Sequence, residues 1–112
     1  MDSFGGGLGA HGEVCGAMIG GLAVIGLKFG RPQPAGKRSD MKMWKYSSIF
    51  IRRFKEEATD GKTLCRNIAG VDWRNQDQVR KFHEGEKFRS CQTLTGKAAR
   101  IIGELLEQSL VE

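Results

Sequence analysis

The stretch GEVCGAMIGGLAVIGLKFG, residues 12–30, decides the fold. Cys15, Ile19, Leu22 and Phe29 recur at spacings of four, three and seven, which places them on one face of a helix running from Gly12 to Gly30. Gly12, Gly16, Gly20 and Ala23 leave an adjacent face almost bare. Each interior glycine costs on the order of 1 kcal/mol relative to alanine. Close approach of another helix backbone is the expected compensation. Gly30 with Pro32 and Pro34 ends the helix. The apolar run Val14–Leu27, fourteen residues between Glu13 and Lys28, falls short of a membrane span. It reads as a core helix.

Upstream, Gly5-Gly6-Gly7-Leu8-Gly9 is expected to be a flexible loop within a glycine-rich segment 1–12. Downstream, a basic polar linker, Lys37–Asp40, leads to a helix from Met41 to Thr59 that Asp60-Gly61 stops. Its expected buried stripe is Trp44, Ser47, Ile51, Phe54 and Ala58, with Lys45, Arg52, Lys55 and Glu56 turned away. A short turn from Leu64 to Ala69 closes at Gly70. An irregular piece, Val71–Asn75, precedes a polar helix Asp77–Glu84 anchored by Val79 and Phe82. The last helix is expected to start near Ser90 or Thr95 and to end near Leu110, burying Leu94, Ala98, Ile101, Ile102, Leu105 and Leu106. No period-two alternation is long enough for a strand. The expected fold is all-α: one domain over residues 1–112, a small bundle of about four to five helices.

At 112 residues the chain has the size of a single domain. Its 39% apolar and 28% charged residues fit a globular protein with a core. Eighteen Lys and Arg against thirteen Asp and Glu favour anionic partners weakly. The basic residues lie among acidic neighbours, so no nucleic acid is expected. The first ten residues hold no Lys or Arg, so the charged start of a secretory signal is missing. Three cysteines, an odd number, then read as free thiols in a reducing, cytoplasmic setting.

Each cysteine follows a helix-start signal: Cys15 after Gly12, Cys65 after Thr63, Cys91 after Ser90. A first-turn thiol faces unpaired backbone N–H groups and the positive end of the helix dipole, which favour the reactive, metal-ligating thiolate. Cys15, Cys65 and Cys91 are therefore the candidate catalytic residues, with Cys15 expected to be the most reactive if the glycine loop leaves its sulfur partly wet. The same three cysteines with His11 are candidate metal ligands, for zinc or an iron–sulfur cluster. Gly12, Gly16 and Gly20 are candidate cofactor-binding positions, because bare backbone feeding a helix N-terminus admits a bound group. There is no C-x-x-C, no phosphate-loop spacing and no Ser-His-Asp set. Cysteine is also a common apolar filler. The rival reading is a non-enzymatic helical binding module with structural cysteines and an anionic partner. His83, in a charged helix, reads as surface.

Cys15-Gly16-Ala17-Met18-Ile19-Gly20, preceded by Phe4-Gly5-Gly6-Gly7-Leu8-Gly9 and followed by single cysteines at 65 and 91, resembles the redox-active family named for its cysteine pattern, C_GCAxxG_C_C. The resemblance covers nearly the whole chain. It implies a redox class without naming a substrate. It also implies a further cysteine on a leading helix before the glycine-rich loop, where this sequence has none. A site needing four thiols is then expected to be defective here, to use His11, or to borrow a ligand from a partner subunit. A homodimer that covers the glycine-faced helix and a redox partner protein are the expected associations.

Overall fold

Gly21 carries no side chain, and the ring of Phe50 lies where its Cβ would stand, with Cε2 2.6 Å from that position. This contact sets the distance between the first two helices of the computed structural model, which describes residues 4–30 and 41–111. The helices are α1 (Gly16–Phe29), α2 (Met41–Glu57), α3 (Cys65–Ala69), α4 (Gln76–Glu84) and α5 (Glu86–Leu110). Among the described residues there is no strand, only an isolated antiparallel bridge between Val14 and Leu64. The all-α expectation holds. The expected linker Lys37–Asp40 and the prolines at 32 and 34 lie outside the described residues.

Helices α1, α2 and α5 pack against one another around Ile25, Tyr46, Phe50, Phe54 and Ile101, all essentially inaccessible to water. Phe29 stacks on Tyr46 with centroids 5.5 Å apart, and Phe50 leans on Phe54 at 5.8 Å. At the rim, Arg53 bonds both Glu57 (2.6 Å) and Glu104 (2.6 Å), and Arg100 reaches Glu57 (3.2 Å), so charges tie α2 to α5. A second, smaller cluster of Ala69, Val71 and Phe82, with Trp73, Val79 and Phe88 packed against it, sits beneath α3, α4 and the start of α5. Helix α5 has 25 residues, roughly 38 Å of rod, and serves both clusters.

Three expectations are corrected. Helix α1 begins at Gly16 and not at Gly12, because Gly12 is left-handed (φ +70°) and Cys15 is extended at its N-cap. Its buried face is Cys15, Met18, Gly21, Ile25 and Phe29, with Ile19 and Leu22 half-buried beside it. On α2 the buried stripe is Tyr46, Phe50 and Phe54, and Trp44 is 66% exposed. The bare spot at Gly21 admits a large ring, and Phe50 fills it. That rotates Trp44, Ser47 and Ile51 to the lining of an outer groove. Helix α5 starts at Glu86, well before Ser90, and Thr95 inside it donates from its hydroxyl to the Cys91 carbonyl (3.0 Å) instead of capping.

The glycine-rich segment is closed by its own backbone. Gly6, Gly7, Leu8, Gly9 and Ala10 all have φ between 60° and 72°, a left-handed coil. Leu8 N–H donates to Phe4, Ala10 to Gly5, Gly12 to Gly6 and Glu13 to Gly7, at 2.9–3.1 Å. Left-handed Leu8 and Ala10 cost about 1–2 kcal/mol each. The Asp60-Gly61 stop is as expected: both are left-handed, and Gly61 N–H donates back to Lys55 at 2.8 Å.

Glycines in this fold therefore divide into two kinds. Gly21→Ala drives a Cβ into the Phe50 ring, and Gly7→Ala would stand 2.5 Å from Cys65 Cβ at a left-handed position. Each is expected to destabilise by roughly 1–3 kcal/mol. Gly103→Ala, on exposed α5 with nothing within 4 Å, is expected to stabilise by up to about 1 kcal/mol. Urea midpoints measured on the three variants should shift in these opposite directions; a Gly21→Ala midpoint at or above wild type would refute the packing assignment.

Candidate thiol site

Two elements start from the Val14–Leu64 bridge. Cys15 N–H donates to Thr63 (2.9 Å) and Cys65 N–H to Glu13 (2.6 Å). In an antiparallel bridge the residues flanking the paired ones point to the same side, so Cys15 and Cys65 share a face as diagonal neighbours. Cys15 is the N-cap of α1 and Cys65 the first residue of α3. Cys91 is not at a helix start. It is the sixth residue of α5, because that helix begins five residues before it.

All three cysteines line one cavity of about 840 Å³. They are free thiols. Cys15 is 8% exposed and belongs to the main core, while Cys65 and Cys91 are half-buried against the smaller cluster. The condition for a wet, most reactive Cys15 is therefore not met. Burial pushes the Cys65 thiol up, opposed by the indole N–H of Trp73, and the neighbouring Cys15 adds to the rise. Burial also pushes Cys91 up, helped by Cys65 and Cys15.

The rest of the lining is unusual in what it excludes. Among the described residues it contains no Asp, Glu, Lys or Arg. Gly5, Gly6, Gly7, Gly16 and Gly20 supply backbone without side chains. Trp73, Phe82, His83 and Phe88 supply rings that meet edge-on or tilted, Trp73 to Phe82 at 5.2 Å and Phe82 to Phe88 at 5.9 Å. The Trp73 Nε1 atom is buried, and its N–H acts on the Cys65 sulfur, a weak acceptor, which holds that thiol below where burial alone would put it.

Gly16 and Gly20 border the cavity, with Gly16 held against the Phe4 carbonyl. Gly12 does not border it. It is buried under Arg66, whose Cβ is 3.0 Å from the position a side chain would take, so this glycine serves packing. The loop N–H groups of Leu8, Ala10, Gly12 and Glu13 already have carbonyl partners, which leaves them unavailable to an anion. His11 is exposed, bonded through Nδ1 to the Gly9 carbonyl (2.9 Å), and outside the cavity lining. Among the described residues, no three or more His, Cys, Asp or Glu side chains form a group that could hold a metal ion.

His83 is exposed, as expected, and also borders the cavity. Its Nδ1 lies 2.9 Å from the Val79 carbonyl, an acceptor, so Nδ1–H is the donor. The readable signal was its setting between Phe82 and Phe88, with Trp73 upstream.

Neither a curated protein nor a solved structure matches the chain. One family description does, "Putative redox-active protein (C_GCAxxG_C_C)", over residues 1–105. That span includes the glycine coil, all three cysteines and most of α5. The chain belongs to the C_GCAxxG_C_C family.

Proposed function

We propose that this protein is a thiol redox protein in which Cys65 and Cys91 cycle between two thiols and a disulfide, with Cys15 beside Cys65 as a third exchanging sulfur. The supporting observation is that three cysteines from three separate segments line one cavity, where the described residues include no Asp, Glu, Lys or Arg. Oxidation breaks two S–H bonds and forms one S–S bond. Two electrons and two protons leave to an oxidised partner, a redox partner protein or a small molecule. A reducing, cytoplasmic setting would return the disulfide to thiols.

A second reading keeps the same three sulfurs as ligands of zinc or an iron–sulfur cluster. It is favoured by the soft donor set and by a cavity wide enough for a cluster. It needs movement and a further ligand, because no metal-holding group is assembled among the described residues. We also propose a homodimer: Val24 and Leu27 on α1 and Met41 and Trp44 on α2 leave large apolar side chains exposed. Sedimentation at micromolar concentration should give a dimer, and a monomer there would rule this out. Among the described residues no helix is long and apolar enough to cross a membrane.

The deciding experiment is metal and sulfide analysis of protein purified without oxygen, with a count of free thiols before and after the oxidant diamide. The expected result is three free thiols, no stoichiometric metal, and loss of two thiols within a single chain on oxidation. Stoichiometric iron and sulfide with masked thiols would replace this reading with the second; three inert thiols without metal would defeat both.

The raised thiols of Cys65 and Cys91 carry a pH dependence with a definite sign. A thiol whose pKa is higher in the folded state binds more protons there than in the unfolded chain at alkaline pH. Its contribution to stability is complete below the unfolded value of about 8.5 and is lost as pH rises through the folded one. Urea midpoints should therefore fall above that pH, with a smaller fall in a Cys65→Ser/Cys91→Ser variant. Alkylation at neutral pH, followed by mass spectrometry, should label Cys65 and Cys91 before the buried Cys15. Faster labelling of Cys15 would contradict the burial argument.

A further inference from the structure

We propose that the end of the bundle opposite the three cysteines is a docking surface for an anionic phospholipid membrane. Leu27, Met41 and Trp44 enter the headgroup layer, and Lys28, Lys42 and Lys45 meet its charge. The contact is peripheral, and no part of the chain crosses the lipid. It goes beyond the thiol chemistry and does not depend on it.

Helix directions bring the parts of this surface together. Phe29, at the end of α1, stacks on Tyr46 near the start of α2, while Gly21 meets Phe50 one turn further along, so the two helices run antiparallel. Arg53 reaches Glu104 and Arg100 reaches Glu57, so α5 also runs antiparallel to α2. The end of α1, the start of α2 and the end of α5 therefore meet at one end. Cys15 lies at the other end of α1, a helix of 14 residues and roughly 20 Å. Among the described residues, the large apolar side chains left exposed are Val24, Leu27, Met41, Trp44, Leu110 and Val111. All but Val24 lie on the terminal turns that meet here. Exposed apolar residues scattered singly need no explanation, but a group gathered at one end does.

Charge identifies what covers them. In the sequence, residues 28–45 hold six Lys and Arg against one acidic residue, Asp40, a net charge of +5. The other residues hold twelve of each sign, so the whole net charge of the chain belongs to this stretch. Lys28, Lys42 and Lys45 stand beside the exposed apolar residues, and Glu107 on the last turn of α5 is an opposing charge at this end. An anionic headgroup layer offers apolar depth for Leu27, Met41 and Trp44, and anionic oxygens for lysines whose stems lie along apolar surface. Tryptophan suits that boundary because its ring is apolar and its N–H polar. An acidic helix fits less well. The groove beside Trp44 continues along α2 to Glu56 and Asp60, where such a helix would meet carboxylates. A second copy, the dimer proposed above, covers this end in solution but sets like charge against like, so anionic lipid displaces it.

The test is flotation of the reduced full-length chain with vesicles of phosphatidylcholine, alone or with about one third phosphatidylserine. The chain should float with the anionic vesicles at low salt, stay behind with the neutral ones, and be released as salt is raised. In a Trp73→Phe chain, whose remaining indole is Trp44, fluorescence should move to shorter wavelength as anionic vesicles are added. Leu27→Ser and Trp44→Ser should each weaken binding about fivefold or more without lowering the melting temperature, because both side chains are exposed. Lys28→Glu/Lys45→Glu should abolish flotation. Lys81→Glu/Arg89→Glu, an equal change of charge on exposed residues of α4 and α5, should leave it within about twofold. Equal loss in the two charge variants, equal flotation with neutral vesicles, or an unmoved Trp44 emission would each overturn the site. If no vesicle floats while Trp44→Ser dissociates a dimer, this end belongs to a second copy. If polyglutamate binds and vesicles do not, it belongs to an acidic protein. Either result overturns the membrane assignment.

Discussion

Two backbone hydrogen bonds, Cys15 N–H to Thr63 and Cys65 N–H to Glu13, hold the start of α1 beside the start of α3. Much else in the site follows from them. They turn the side chains of Cys15 and Cys65 to the same side of the bridge and bring the glycine coil against Cys65. The coil fits only because Gly7 has no side chain where Cys65 Cβ and the Glu13 backbone crowd it. A left-handed backbone at Leu8 and Ala10 is an unfavourable choice for L-residues, and the hydrogen bonds that close the coil over-determine it. Strain here sits next to the chemistry.

The cavity that results is defined by absence. Among the described residues, polar groups with mobile protons are limited to the thiols, His83, the Trp73 indole, Gln92 and Thr95. Burial raises the thiols of Cys65 and Cys91, and the neighbouring sulfurs add to the rise. This opposes the stabilised thiolate for which the helix start at Cys65 would otherwise argue.

Some of this was legible in the residues and some was not. The end of α2 was legible because Asp60-Gly61 carries its conformation in its chemistry, and so was the core face of α5, where Leu94, Ala98, Ile101 and Leu105 keep helical spacing without competitors. Helix α2 offered two stripes of equal periodicity. The choice between Trp44-Ser47-Ile51 and Tyr46-Phe50 was made by Gly21 and Phe29 on another helix, which no local pattern contains. The start of α5 was hidden because Ser90 and Thr95 look like caps, whereas Thr95 satisfies itself on the Cys91 carbonyl within the helix. That misplaced start also made Cys91 look like a first-turn thiol. The family pattern marked the three cysteines, but their shared cavity arises from contacts between distant segments and has no signature in spacing.

The length of α5 has a consequence for how the molecule opens. Its first two turns rest on a cluster of only three buried residues, while its later turns are locked by Leu94, Ala98, Ile101, Ile102 and Leu105 into the main core. Glu86 begins the helix with no side-chain cap on Gly85 to hold it. A helix so unevenly anchored frays from one end. The amides from Glu86 to Cys91 are expected to exchange with solvent deuterium before those from Ala98 to Leu105. Cys91, half-buried in the folded chain, would then gain further access to solvent by local opening of its own helix.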